Sequence, residues 1–171
     1  MAEAVAATIE CIGCGARVPD IEGPVHRYLG ASPGCWAYYG ELLSAESLDR
    51  NLAPMQRLTI NTYAVQHPGV PGPQTKQSLW VHLAGLCLVL ERGQPADRTM
   101  QLMAGLASRR WDWGWLEPPA RPYPRTIVDV RGVRTLDNYD QAVAEWSVST
   151  WLAWQAHHDE IRAVVDKLLE D

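Results

Sequence analysis

The stretch CIGCGARVPDIEGPVHRYLGASPGCW, residues 11–36, constrains the fold more than any other part of the chain. It contains three of the four cysteines, and its glycines and prolines outnumber the large apolar side chains that would let it form a core of its own. Cys11 and Cys14 are separated by two residues, a spacing at which a tight turn can direct both sulfurs at one ion. Gly13 and Gly15 supply the backbone freedom that such a turn needs.

A complete ligand set for a metal ion lies within this stretch. Three cysteines and one histidine are typical of structural zinc, which takes four ligands and leaves no open position. We therefore predict a zinc site, and the predicted ligands are Cys11, Cys14, Cys35 and His26. The fourth ligand stays open at this point, because His67, His82 or His158 could supply it from a distance. A redox-active Cys-x2-Cys pair is the alternative, but such a pair normally follows a strand and opens a helix, and residues 1–16 indicate neither.

Composition excludes several classes of protein. The 171 residues carry a net charge of −5 and no cluster of lysines and arginines, so nucleic acid and anionic membranes are not expected partners. No run of 18 apolar residues is present, and the N-terminus MAEAVAATIEC lacks the basic region of a signal peptide. We therefore expect a cytoplasmic protein. In a reducing compartment a Cys-x2-Cys pair favours metal binding over a structural disulfide.

Hydrophobic periodicity predicts a mainly α fold, a helical bundle of about five helices below an irregular, cysteine-rich metal knuckle. The predicted helices span about 33–50, 51–67, 75–92, 95–109 and 138–169. The length suits a single domain, residues 1–171, in which residues 11–35 form the metal-knuckle cap and residues 36–171 the bundle. Residues 1–10 are expected to be a poorly ordered lead-in.

Local signals place several helix ends. Ser32-Pro33 predicts a helix start, which would put Cys35 in the first turn of the first helix. Thr126-x-x-Asp129 resembles a capping box, so residues 127–133 form a helical turn or a short strand, and we favour the turn. Asp137 is expected to cap the last helix, which is long enough to bend near His157-His158.

A second candidate site is suggested by histidines on the apolar sides of three predicted helices, and these are His67, His82 and His158. Facing helices of a bundle are where metal and cofactor sites form, so a shared cluster would make a metal-dependent, hydrolase-like enzyme the alternative function. Acidic residues that could serve as general bases beside it are Glu91, Asp97 and Asp159. A single histidine on an apolar face is more often a core residue with a satisfied hydrogen bond.

The segment at residues 111–125 suggests a third interpretation. It begins WDWGWLEPP, and its prolines and alternating tryptophans predict an extended segment laid across the domain. If Trp113 and Trp115 were exposed, the chain would be a metal-stabilised interaction module that binds a protein partner.

Several segments resemble a family of small bacterial proteins that are grouped only as a domain of unknown function. The resemblance lies in Cys11-x2-Cys14-Gly15, in GPVHRYLGASPGCW, YAVQHPG and VHLAGLCLVLERG, and in the Trp and His-His residues near the C-terminus. It covers most of the chain. The resemblance implies a single compact domain and points to His26, His67, His82 and His158 as positions to test, but it implies no activity.

Overall fold

The computed structural model describes residues 7–133 and 138–170. Two short strands come first, β1 (Thr8–Glu10) and β2 (Arg17–Pro19). The α-helices of the described residues are α1 (Pro33–Leu48), α2 (Gln56–Gln66), α3 (Pro73–Leu90), α4 (Ala96–Ser108), α5 (Ile127–Arg131), α6 (Tyr139–Ala153) and α7 (His158–Glu170). The predicted mainly α fold is confirmed, with seven helices in the described residues instead of about five. Among the described residues, none of the helices is both long and apolar enough to cross a bilayer.

The core forms around α3, which packs against α2, α4 and α7, while α2 also packs against α6. The apolar stripe of α3 is almost completely buried, and Leu83 and Leu86 have no exposed surface. Gly93 follows the helix with a φ of +59°, a left-handed conformation that glycine adopts without strain and that ends the helix. The clearest helix in the sequence is therefore the central helix of the fold.

The prediction of one long C-terminal helix was wrong, because the helix is interrupted near the expected bend and continues as a second helix. Helix α6 ends at Ala153, a 3-10 turn spans Gln155–His157, and α7 begins at His158. The imidazole Nε2 of His158 lies 2.8 Å from the carbonyl oxygen of Trp151, so the side chain satisfies one of the carbonyls that the end of α6 leaves without a helical partner. The expected cap, Asp137, lies outside the described residues.

The prediction of a disordered lead-in was wrong for residues 8–10. These residues form β1, which pairs antiparallel with β2 so that Ile9 lies opposite Val18. The Cys-x2-Cys segment is the connection between the two strands. The N-terminal hairpin, residues 8–19, is therefore built around the Cys-x2-Cys turn at residues 11–16, called the knuckle below, and Val18 is its fully buried apolar side chain.

The Trp-Pro segment, residues 111–125, is extended as predicted and forms a strap across the helices. The indole N–H of Trp80 on α3 donates to the carbonyl of Gly114 at 2.9 Å, and the backbone N–H of Tyr123 donates to the carbonyl of Cys14 at 3.0 Å. The strap therefore connects the central helix to the N-terminal hairpin. It ends in α5, where the predicted capping box of Thr126 and Asp129 is present.

A buried carboxyl group joins α1, α2 and α6. Glu46 on α1 has no exposed surface, and its Oε1 accepts hydrogen bonds from Thr59 at 2.5 Å and from Tyr139 at 2.8 Å. Among the described residues, Oε2 has no hydrogen-bond partner. Burial raises the pKa of this carboxyl, although the hydrogen bonds from Thr59 and Tyr139 oppose the shift.

We expect Glu46→Gln to increase stability at neutral pH. A carboxyl whose pKa is raised on folding reduces stability as the pH rises from its unfolded-state pKa toward its folded-state pKa, because the folded protein then has to hold a buried charge. Glutamine keeps the accepting oxygen and removes the charge. The stability of the variant relative to the wild type should therefore grow from pH 4 upward, as measured by thermal melting at several pH values.

The control for this experiment is Thr59→Val, which removes a donor and leaves the carboxyl in place. This variant should lose about 1 kcal/mol of unfolding free energy. A Glu46→Gln protein that melts below the wild type at pH 7 would contradict the assigned cost of burying this charge.

Candidate metal centre

Four potential metal ligands converge at one end of the helical bundle. They are Cys11, Cys14, Cys35 and His67, and one ligand atom of each lies within 4.8 Å of those of the other three. All four residues have no exposed surface. They come from three separate parts of the chain, the N-terminal hairpin, the first turn of α1 and the residue that follows α2.

The hairpin turn directs two of these sulfurs inward. The backbone N–H of Cys11 donates to the carbonyl of Ala16 at 2.8 Å, and the N–H of Gly15 donates to the carbonyl of Cys11 at 3.0 Å. Gly15 has a φ of +79°, so the turn needs a residue without a side chain at this position. This is the turn chemistry that the glycine beside Cys14 predicts.

Gly13 is needed for a different reason, the close approach of the knuckle to the rest of the site. A Cβ atom at this position would clash with the carbonyl oxygen of Gly30 and with the imidazole ring of His67. The absence of a side chain therefore lets the hairpin lie directly against the histidine.

Cys35 occupies the first turn of α1, as the Ser32-Pro33 signal predicts. The hydroxyl oxygen of Ser32 accepts a hydrogen bond from the backbone N–H of Ile12 at 3.1 Å, which ties the helix start to the knuckle. The sulfur of Cys35 lies 3.9 Å from that of Cys14.

His67 is oriented by the helix that precedes it. Its Nδ1 lies 2.7 Å from the carbonyl oxygen of Tyr63, and because a carbonyl can only accept, Nδ1 carries the proton. The lone pair of Nε2 is then free and lies 3.3 Å from the sulfur of Cys35. The ring also stacks on Tyr63 with a centroid distance of 3.9 Å. A backbone carbonyl that fixes the tautomer in this way is the usual partner of a metal-bound histidine.

The three thiols affect one another's pKa values in opposite directions. Hydrogen bonds from the thiols of Cys14 and Cys35 lower the pKa of the Cys11 thiol. The hydrogen bond to Cys11 raises the pKa of Cys14 to about 12, and it also raises that of Cys35. A divalent cation would displace the thiol protons on binding, because thiolates are the metal-binding form of cysteine.

His26, the predicted fourth ligand, lies outside this group. It is exposed in the loop before α1, its Nδ1 accepts a hydrogen bond from the backbone N–H of Tyr28 at 3.2 Å, and its ring packs against Trp36. The group instead contains His67, one of the alternatives that the sequence left open. An isolated bridge between Leu29 and Pro68 brings the two loops together, and no local sequence signal reveals this long-range pairing.

The other two histidines have separate environments. His82 shares a hydrogen bond of 2.9 Å with the side-chain oxygen of Asn61, and burial, with a contribution from Arg57, lowers its pKa to about 4. His158 stacks on Trp151 with a centroid distance of 3.9 Å. Within residues 7–133 and 138–170, these two histidines do not join His67 in a metal-binding group. The hydrolytic cluster therefore has no geometric support.

The acidic residues considered as general bases are either paired with an arginine or exposed on the surface. Glu91 accepts two hydrogen bonds from Arg162, at 2.7 and 2.8 Å, and one from the indole of Trp151 at 2.9 Å. The hydrogen bonds from Arg162 lower the pKa of Glu91 to about 2, so it is a poor base. Asp97 and Asp159 are exposed side chains in the first turns of α4 and α7.

The tryptophans of the strap are partly buried. Trp113 packs against Trp80 at a centroid distance of 6.0 Å and stacks on Trp111 at 5.4 Å. Trp115 is also half-buried, and its indole N–H donates to Glu117. Most of the surface of Trp113 and Trp115 is packed against other side chains. The strap therefore does not present the exposed aromatic face that an interaction module would need.

The fold and site define the class of protein, a small helical domain with a buried group of three cysteines and one histidine near its N-terminus. The family model described as "Family of unknown function (DUF5946)" matches residues 9–155, so the chain belongs to this family. The matched range includes all four residues of the group. No significant match was found among curated proteins or among solved structures.

The knuckle geometry predicts that Gly13→Ala is strongly destabilising. The new methyl group has to displace both the Gly30 carbonyl and the His67 ring, and overpacking of this kind costs about 1–3 kcal/mol. Urea unfolding of the purified protein measures the loss.

The matched control is Gly105→Ala in α4, where a Cβ atom meets nothing within 4 Å. This substitution removes a helix-interior glycine and should stabilise the protein by about 0.5–1 kcal/mol. Equal effects of the two substitutions would show that the knuckle does not need the close approach described above.

Proposed function

We propose that Cys11, Cys14, Cys35 and His67 hold one structural zinc ion. The observation that carries this proposal is that their four ligand atoms lie within 4.8 Å of one another while all four residues are fully buried. Zinc in structural sites is bound by four such ligands in a tetrahedron. A site closed in this way has no position for a substrate or a reactive water, so the proposed role is stabilisation of the fold.

The distances support a single ion over a cluster. Zinc–sulfur bonds of about 2.3 Å in a tetrahedron separate two sulfurs by about 3.8 Å, and the sulfurs of Cys14 and Cys35 are 3.9 Å apart. An iron–sulfur cluster with two irons would spread the ligands on opposite irons further than the 4.8 Å limit of this group. Thiolate and imidazole ligands in tetrahedral geometry favour zinc among the common divalent ions.

The proposed ion supplies what the hairpin lacks. An isolated two-stranded hairpin is marginally stable in water, and Ile12 at its tip is 64% exposed. Coordination bonds would join the hairpin to α1 through Cys35 and to the end of α2 through His67. The metal would therefore hold three segments that are distant in the sequence.

We also infer a reducing compartment, the cytoplasm, for this chain. All four cysteines are free thiols. The sulfurs of Cys14 and Cys35 are so close that a small movement would let them form a disulfide in an oxidising compartment. A group of this kind keeps its metal-binding form where thiols stay reduced.

Metal analysis of the purified protein tests the proposal directly. Elemental analysis should find about one zinc per chain before any metal is added, and Cys11→Ser or Cys35→Ser should reduce the zinc content to a small fraction and lower the melting temperature. Replacing zinc with cobalt should produce the visible absorption of a tetrahedral site with thiolate ligands.

The control is Cys87→Ser, which changes the one buried cysteine outside the group and should leave the zinc content unchanged. A purified protein without bound metal, whose melting curve does not respond to added zinc, would overturn the proposal.

The fourth ligand is tested by a pair of histidine variants. His67→Ala should lose zinc affinity by at least tenfold, because it leaves three ligands and a buried gap. His26→Ala should bind zinc like the wild type, since this ring is exposed and lies outside the group. Competition with a chromogenic chelator measures both affinities. The reverse result would assign the fourth position to His26.

A further inference from the structure

The outward face of α6 carries an apolar stripe, flanked by polar side chains, that has no covering element among the described residues. It lines an open hollow of about 810 Å³ together with the end of the strap. Three apolar side chains run along this face one turn apart, Ala144, Val148 and Leu152. Val148 is 44% exposed and Leu152 is 57% exposed. Soluble helices normally place polar residues on such a face, so this stripe indicates a contact surface.

The charges of the face favour a second copy of the same chain. The chain has a net charge of −5, so two copies repel each other over most of their surface. The charged groups that line the hollow, Arg125 and Glu145, pair with each other at 2.9 Å. The α6 face therefore carries no net charge, and two copies can approach here without like-charge repulsion.

The residues of the face also complement themselves. In an antiparallel pair of α6 helices centred on Val148, each Leu152 lies opposite Ala144 of the other copy, so that a large side chain meets a small one. Two exposed amide side chains that can donate and accept line the same hollow near the two ends of α6, Gln141 and Gln155. An apolar centre with a polar rim is the usual anatomy of a protein interface.

We propose that α6 pairs antiparallel with α6 of a second copy of this chain, with Val148 at the two-fold axis. The pairing is isologous, so the same patch serves both partners. A helix of 15 residues is about 22 Å long, which gives a contact smaller than that of a stable obligate dimer. We therefore expect a weak dimer that forms only at high protein concentration. This proposal is independent of the metal site, which lies in other elements.

Sedimentation velocity of the metal-loaded protein from about 1 to 500 µM tests the association. The wild type should shift from monomer to dimer across this range. Val148→Glu should weaken the dimer at least tenfold, because it places two carboxylates against each other at the axis. The matched control is Val70→Glu, which changes an 85% exposed valine outside the hollow and should dimerise like the wild type.

Cross-linking tests the antiparallel arrangement. Val148→Cys should form a disulfide-linked dimer with oxidised glutathione, because a residue at the two-fold axis meets its own copy. Leu152→Cys should not, since four residues on either side of the axis separate the two thiols by about 12 Å. The four native cysteines are buried, so they contribute little background.

Several results would overturn this proposal. A protein that stays monomeric up to 500 µM would leave the α6 face to a different partner. A dimer that survives Val148→Glu would lie on another surface. Efficient cross-linking of Leu152→Cys with none of Val148→Cys would exclude the antiparallel register.

Discussion

The close approach of the N-terminal hairpin and of the loop before α1 to the end of α2 is the constraint on which the candidate metal centre depends. The backbone N–H of Gly30 donates to the carbonyl of His67 at 2.9 Å, and Leu29 forms a bridge with Pro68. These contacts place the histidine beside the knuckle, where Gly13 leaves room for its ring. A bulkier knuckle or a shifted loop would separate the cysteines from the histidine, so the geometry of the ligand set depends on backbone packing.

The distribution of apolar residues shows which parts of the protein hydrophobic burial can stabilise and which part would need coordination bonds. The helices bury large side chains such as Trp146, Trp154 and Leu86, which have no exposed surface. The hairpin buries only Ala16, Val18 and its two cysteines, too little apolar area to compensate the entropy of ordering its residues. Under the proposed function, metal loss would therefore affect the hairpin first, while the helical core would keep its own cooperative stability.

Local signals in the sequence predicted local structure well, and long-range pairings were not predictable. The start of α1, the turn at Gly15 and the capping box at Thr126 each depend on residues within a few positions, and the structure contains all three. The position of His67, and not His26, beside the three cysteines depends on a contact between loops about forty residues apart, for which a single sequence carries no signal. The break before His158 was not predictable for a similar reason, because the helical periodicity of the sequence continues across it.

The weak apolar pattern of α2 has a physical explanation that also bears on the site. Its buried face carries polar side chains that form hydrogen bonds with α6: Thr62 lies 2.7 Å from the hydroxyl of Ser147, and Gln66 donates to Thr150 at 2.8 Å. Apolar contacts permit a helix to slide, whereas paired hydrogen bonds set its position along the neighbouring helix. Because His67 follows Gln66 directly, these hydrogen bonds also fix the position of the imidazole, along the axis of α2, relative to the cysteine sulfurs.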